Sequence, residues 1–164
     1  MSVRHAVPSD LDALARIEAL SYPPEEGASR ESIEKRLAAF GSRFWLFEEE
    51  GRIRGFINGM LTDETSLRDE MYDNAGLHNP EGKWQMIFSV VTDPEFRGCG
   101  VASRLMEKVV ADCREEKRAG IVLTCKERLI PFYSRFGFKD EGVSASEHGG
   151  VVWHEMRLTF PKAD

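Results

Sequence analysis

A chain of 164 residues with 41% hydrophobic and 30% charged side chains has the make-up of one soluble globular domain, large enough to bury a core without disulfides or metal. Its net charge of −6 argues against a nucleic-acid partner, whose phosphates attract basic faces, and suits a cationic small substrate. No apolar run approaches the roughly 18–20 residues that span a bilayer, and the N-terminus lacks a signal peptide's apolar core, so no membrane association is expected and a cytoplasmic location is the default.

In chain order, Val3 to Val7 is β-compatible. Pro8-Ser9-Asp10 then offers a capping residue ahead of an apolar series at Leu11, Leu14, Ala15, Ile17 and Ala19, which predicts a helix. Pro23-Pro24 and Gly27 break the chain before a second helix that begins near Ser29 and Ser32 and carries Ile33, Leu37 and Phe40. The runs Phe44–Phe47 and Ile53–Ile57 flank a charged turn ending in Gly51 and predict a hairpin. Thr62 to Lys83 is polar and rich in Asn, Gly and Pro, and reads as a long loop with one helical turn.

Trp84 to Thr92 is a near-continuous apolar run with β-branched residues, expected to form a single central strand covered on both faces. After Asp93-Pro94 and Arg97-Gly98-Cys99-Gly100, the spacing of Val101, Leu105, Val109 and Cys113 predicts a helix with one buried face. Ile121–Cys125 reads as a strand, Arg128–Phe136 as a short helix, and Phe138–Val143 and Val151–Leu158 as two closing strands separated by Gly149-Gly150. That order gives an α/β or α+β domain over residues 1–164, with a mixed, mostly antiparallel central sheet flanked by helices and parallel pairing near its middle.

Cys99, Cys113 and Cys125 are odd in number and form no CxxC pair, so they read as free thiols. His5, His148 and His154 are spaced without any metal constellation, and no metal is expected. The informative segment is Val90 to Ser103, a strand that turns through a basic, glycine-containing loop into a helix. Glycines let successive N–H groups point inward, and the helix N-terminus adds a positive end, so the segment suits a pyrophosphate. It lacks the Gly-Lys-[Ser/Thr] of a P-loop and the G-x-G-x-x-G of dinucleotide folds.

This segment resembles the GNAT superfamily of N-acetyltransferases, whose Q/R-x-x-G-x-G/A hallmark is matched by Arg97-Gly98-Cys99-Gly100-Val101-Ala102. Within that superfamily the chain is similar to the arylalkylamine (serotonin-type) enzymes. The likeness is carried by Leu77-His78-x-Pro80-x-Gly82, the Phe96-Arg97 loop, and Cys125-x-x-x-Leu129-x-Pro131-Phe132-Tyr133-x-x-Phe136-Gly137-Phe138. The resemblance implies the GNAT fold and acetyl-CoA as cosubstrate. The pyrophosphate would fall on Arg97, Gly98, Cys99, Gly100, Val101, Ala102 and Ser103, and the pantetheine on the main chain of Val90, Val91 and Thr92. Cys99 is expected to supply only its N–H.

The implied reaction is direct attack of a neutral primary amine on the thioester, with Tyr133 as the acid that protonates the leaving thiolate; the other reading of Tyr133 is a packed aromatic. The animal enzymes carry two histidines on the central strand where this chain has Met86 and Phe88, so these two would instead wall the acceptor. His78 is the candidate base, with Asp63, Glu64 or ordered water as substitutes. Tyr22, beside Pro23-Pro24, would border the acceptor, and Glu25-Glu26 would either attract a cationic amine or lie solvated. A small-molecule amine is the first acceptor class; a protein lysine or N-terminal amine, or a non-catalytic acyl-CoA-binding module, stay as alternatives. Homodimers are frequent in the superfamily, and no sequence feature identifies an interface.

Overall fold

Glu50 and Gly51 take φ values of 54° and 74°, the pair of left-handed residues that a two-residue type I′ turn requires. They join β2 (Phe44–Glu49) to β3 (Arg52–Asn58) as the expected antiparallel hairpin. The computed structural model describes residues 2–145 and 150–162; His148 and Gly149 lie outside them. The chain divides into two compact units, Met1–Gly59 with Ser89–Val109, and Met60–Phe88 with Val110–Asp164.

In the first unit, an antiparallel sheet has the order β1 (Ser2–His5), β2, β3, β6 (Ser89–Thr92). Helices α1 (Leu11–Ser21) and α2 (Arg30–Phe40) bury Leu14, Ile17, Ile33 and Phe40, alongside Phe44, Trp45, Leu46, Phe56 and Ile57 of the sheet. Each such burial contributes about 1.5–3 kcal/mol relative to exposure. Ser29 caps α2 by accepting the Ser32 N–H at 3.1 Å. Asp10 stands before α1, yet its carboxylate accepts from Arg4, with both N···O distances 2.9 Å, and from the Val7 N–H at 2.8 Å. The Arg4 guanidinium holds the Asp10 carboxyl below its ordinary range against the opposing effect of burial.

The second unit has a sheet of order β4 (Leu61–Thr62), β5 (Trp84–Ile87), β7 (Gly120–Cys125), β9 (His154–Thr159), β8 (Lys139–Val143). Among the described residues only β5–β7 is parallel, as expected for a pair joined by a crossover rather than a hairpin. This unit also carries the short α-helices α3 (Asp69–Asp73) and α5 (Ile130–Ser134). Helix α4 (Val101–Glu115) begins in the first unit and ends in the second, and buries the anticipated Val101, Leu105, Val109 and Cys113.

One expectation is corrected. Trp84 to Thr92 is two strands in two sheets, because the β5 ladder ends at Ile87↔Leu123 and the β6 ladder begins at Asn58↔Ser89, leaving Phe88 outside both. Apolar continuity reports burial and not hydrogen-bond partners, so a one-residue break inside a covered run leaves no periodic trace. Among the described residues no helix is long and apolar enough to cross a membrane.

Candidate active site

The first unit builds the anion loop from β6 outward. Asp93 is 1% exposed; it accepts the Glu95 N–H at 3.0 Å and pairs with Arg16 of α1 at 3.0 Å. Burial disfavours its ionised form, but these donors prevail and hold the carboxyl below its ordinary range. Phe96 lies under the guanidinium groups of Arg52 and Arg54, 5.1 and 4.3 Å from its ring centre, and Arg52 also bridges Glu95 at 2.6 Å. The approach to the loop is thus fastened to α1 and β3.

Arg97, Gly98, Cys99 and Gly100 are all exposed. Gly98 and Gly100 have φ of +79° and +78°, and a Cβ on either would meet no atom within 4 Å. Backbone conformation, rather than crowding, is therefore what asks for glycine. The loop delivers the chain into α4 at Val101, where the first N–H groups of a helix have no intrahelical acceptor and the dipole favours an anion. These features fit a pyrophosphate.

Strand β6 is an edge of its sheet. The Asp93 N–H donates to the Arg54 carbonyl at 2.8 Å, which fixes the phase of the ladder. With the register Gly55↔Thr92, Phe56↔Val91, Ile57↔Val90, the main chain of Val91 turns toward β3 and that of Val90 and Thr92 turns outward. Of the three positions expected to meet pantetheine, Val90 and Thr92 have the orientation.

Three polar links stitch α1 to this strand: Arg16 to Asp93, Ser21 Oγ to the Thr92 carbonyl at 3.5 Å, and Glu18 to Ser89. Glu18 is 2% exposed; its Oε2 accepts from Ser89 Oγ at 3.2 Å and from the Ala28 N–H at 2.8 Å. That single carboxylate ties the α1–α2 connection, which holds half-buried Tyr22, to the start of β6. Sequence reasoning missed Glu18. Its signal was a charge on the apolar stripe of Leu11, Leu14 and Ile17.

In the second unit, Tyr133 on α5 is 6% exposed and meets Phe132 and Phe138 edge-on, with ring centres 5.0 and 6.0 Å away. Burial, and then the nearby Cys125, push its hydroxyl above the ordinary phenol range, so it stays protonated. Burial and the charge of Asp140 push the Cys125 thiol up to about 11. Cys113 is buried and Cys99 exposed, and among the described residues no disulfide joins any of the three cysteines.

His78 accepts the Leu61 N–H on Nδ1 at 3.1 Å. A neutral imidazole that accepts on Nδ1 carries its proton on Nε2, leaving no second lone pair. Asn79 N–H donates to the Leu61 carbonyl at 2.8 Å, and a Cβ on Gly82 would lie 2.4 Å from the Thr62 nitrogen. The Leu-His-x-Pro-x-Gly motif therefore docks its loop on β4. Asp63 accepts from Lys83 N–H at 3.2 Å and Asn79 Nδ2 at 3.4 Å, while Glu64 pairs with Arg68 at 2.6 Å. Of the two residues expected to wall the acceptor, Met86 is fully buried in the second sheet and Phe88 is half-buried.

A family model described as the acetyltransferase (GNAT) family matches residues 11–138, and the chain belongs to that family. Serotonin N-acetyltransferase of Mesocricetus auratus is 32% identical over 115 residues, 68% of this chain and 53% of that protein. N-acetyltransferase 8B of Homo sapiens is 27% identical over 111 residues, 66% of this chain and 43% of that one. The chain thus spans about half the length of the curated relatives it matches. Among solved structures, the GNAT-like decarboxylase GphF in complex with isobutyryl-CoA superposes with a TM-score of 0.83 at 22% identity, covering 97% of this chain and 99% of that one. That likeness supports the fold.

Proposed function

We propose that the chain is an acetyl-CoA-dependent N-acetyltransferase, one catalytic domain that moves an acetyl group onto the primary amine of a small molecule. The observation that carries the reading is the loop Arg97–Gly100, whose two left-handed glycines lead into the N-terminus of α4 in a chain of the GNAT family. Serotonin N-acetyltransferase as a relative supports the amine acceptor, and an isobutyryl-CoA complex as a structural neighbour supports the acyl-CoA donor.

In this reading the N–H groups of Gly98 to Ser103 take the pyrophosphate, with Arg97 adding charge, and the outward main chain of Val90 and Thr92 takes the pantetheine. The neutral amine attacks the thioester carbonyl; the new C–N bond forms, the C–S bond breaks, and the thiolate needs a proton. An ordinary phenol is about 1.5 pKa units weaker as an acid than an ordinary thiol, roughly 2 kcal/mol uphill, and burial of Tyr133 widens that gap. Tyr133 therefore acts first as a neutral hydrogen-bond donor to the developing thiolate and then as the acid that completes the transfer. With Nδ1 of His78 committed to Leu61, the nitrogen that turns cationic on attack loses its proton to water rather than to that ring, and solvent returns a proton to the Tyr133 phenolate.

Thiol release from acetyl-CoA, followed colorimetrically across arylalkylamines, alkylamines, polyamines and lysine peptides with a no-amine control, tests the proposal. Amine-dependent release with acetylated product supports it; release only with peptides moves the acceptor to protein. Binding of acetyl-CoA without release from any amine replaces the enzyme with a binding module.

A further inference from the structure

At the carboxyl ends of the parallel pair β5–β7, the second unit places two aromatic groups on opposite faces of the sheet. Cys125, beside Tyr133, and Thr124, one residue earlier, project to opposite sides of β7. On the Thr124 side, Tyr72 of α3 lays its ring against Phe88, with ring centres 4.9 Å apart at 41°, and its hydroxyl meets Thr124 Oγ1 at 3.2 Å. Two contacts, one apolar and one polar, fix the ring, while Tyr72, Phe88 and Thr124 each stay half-buried. An aromatic pair held this way, with part of its area still wet, has apolar surface to bury against a ligand.

Resting on the reading above, we infer that Tyr72 is a specificity-determining residue: its ring, backed by Phe88, receives the aryl body of the acceptor amine. The segment that carries Tyr72 connects β4 to β5 and is clamped at both ends. Glu155 of β9 accepts the Leu67 N–H at 3.3 Å and Ser66 Oγ at 3.4 Å, and His78 accepts the Leu61 N–H. A preorganised ring costs little entropy on binding, so its contact area is available to discriminate acceptors. Thr124 supplies a polar rim on which an amine or ring substituent can be oriented.

The test pairs binding with turnover. Phenylethylamine and butylamine are titrated by calorimetry into the CoA-saturated protein, and kcat/KM is measured for both with acetyl-CoA, in wild type, Tyr72→Ala and Tyr72→Phe. Tyr72→Ala is expected to weaken phenylethylamine binding and kcat/KM about tenfold, leaving butylamine within about twofold and the acetyl-CoA KM unchanged. Tyr72→Phe keeps the ring and is expected to restore most of the phenylethylamine preference. Equal losses for both amines would reduce Tyr72 to a structural role and overturn the inference, as would a wild type that binds no arylalkylamine. Butylamine turnover in that last case would leave the acetyltransferase reading intact, so the two failures are distinguishable.

Discussion

Replacing Gly100 with alanine separates a ligand-binding glycine from a merely permissive one. Its φ of +78° costs an L-residue about 1–2 kcal/mol, and the added Cβ meets nothing within 4 Å, so strain is the whole penalty in the free protein. The melting temperature should fall by about 2–8 °C if the loop keeps its shape. If it instead relaxes to negative φ, the melting temperature holds but the N–H groups no longer converge, and the strain cost reappears as weakened cosubstrate binding, about 5- to 30-fold. Gly142, at φ +99° with the same open surroundings, is the control, since alanine there carries comparable strain in a segment that is not part of the loop. Calorimetric titration of acetyl-CoA with thermal melts of both variants reads the difference. An acetyl-CoA Kd in Gly100→Ala that matches Gly142→Ala, with melting temperature also unmoved, would refute the assignment of this loop to the pyrophosphate.

Tyr133→Phe should lower kcat on the order of 10²-fold, as loss of one donor to a developing charge does, with acetyl-CoA affinity and melting temperature nearly unchanged; kcat within threefold of wild type would return Tyr133 to packing alone. Glu18→Ala strips the acceptor from the Ser89 hydroxyl and the Ala28 N–H and should cost about 2–4 kcal/mol in urea unfolding, while Glu18→Gln, which keeps an acceptor, should cost less than half of that. Asp10 and Asp93 both ionise below the ordinary range in the folded chain, so their stabilisation is complete above about pH 4 and is lost as pH falls through the folded values. Asp10→Asn should accordingly flatten the acid limb of a urea-midpoint profile; an unchanged limb would contradict the Arg4 pairing.

Local chemistry was legible wherever a signal was contained in a few neighbouring residues. Ser29 caps its helix, Gly51 closes its hairpin, and the α4 stripe of Val101, Leu105, Val109 and Cys113 faces inward because spacing alone specifies them. What depended on partners distant in sequence was not. Phe88 looks like any other residue of an apolar strand until the ladders on either side of it are seen to belong to different sheets. His78 stood inside a recognisable motif, yet only the Leu61 N–H against its Nδ1 shows which lone pair is spent. Tyr72 was hidden in a stretch read as loop, since neither Phe88 nor Thr124 lies near it in the chain.

The outward-turned main chain of β6 has a cost in the absence of ligand. An edge strand that turns N–H and C=O groups away from its sheet is a template on which a second chain can add. Of the substitutions that shield such edges in other proteins, a proline would here remove an N–H proposed to read the pantetheine, and a charged lysine would keep the main-chain groups but obstruct the approach to them. Cosubstrate bound along β6 would then serve as the missing neighbour, making colloidal behaviour, and not only turnover, a function of acetyl-CoA supply.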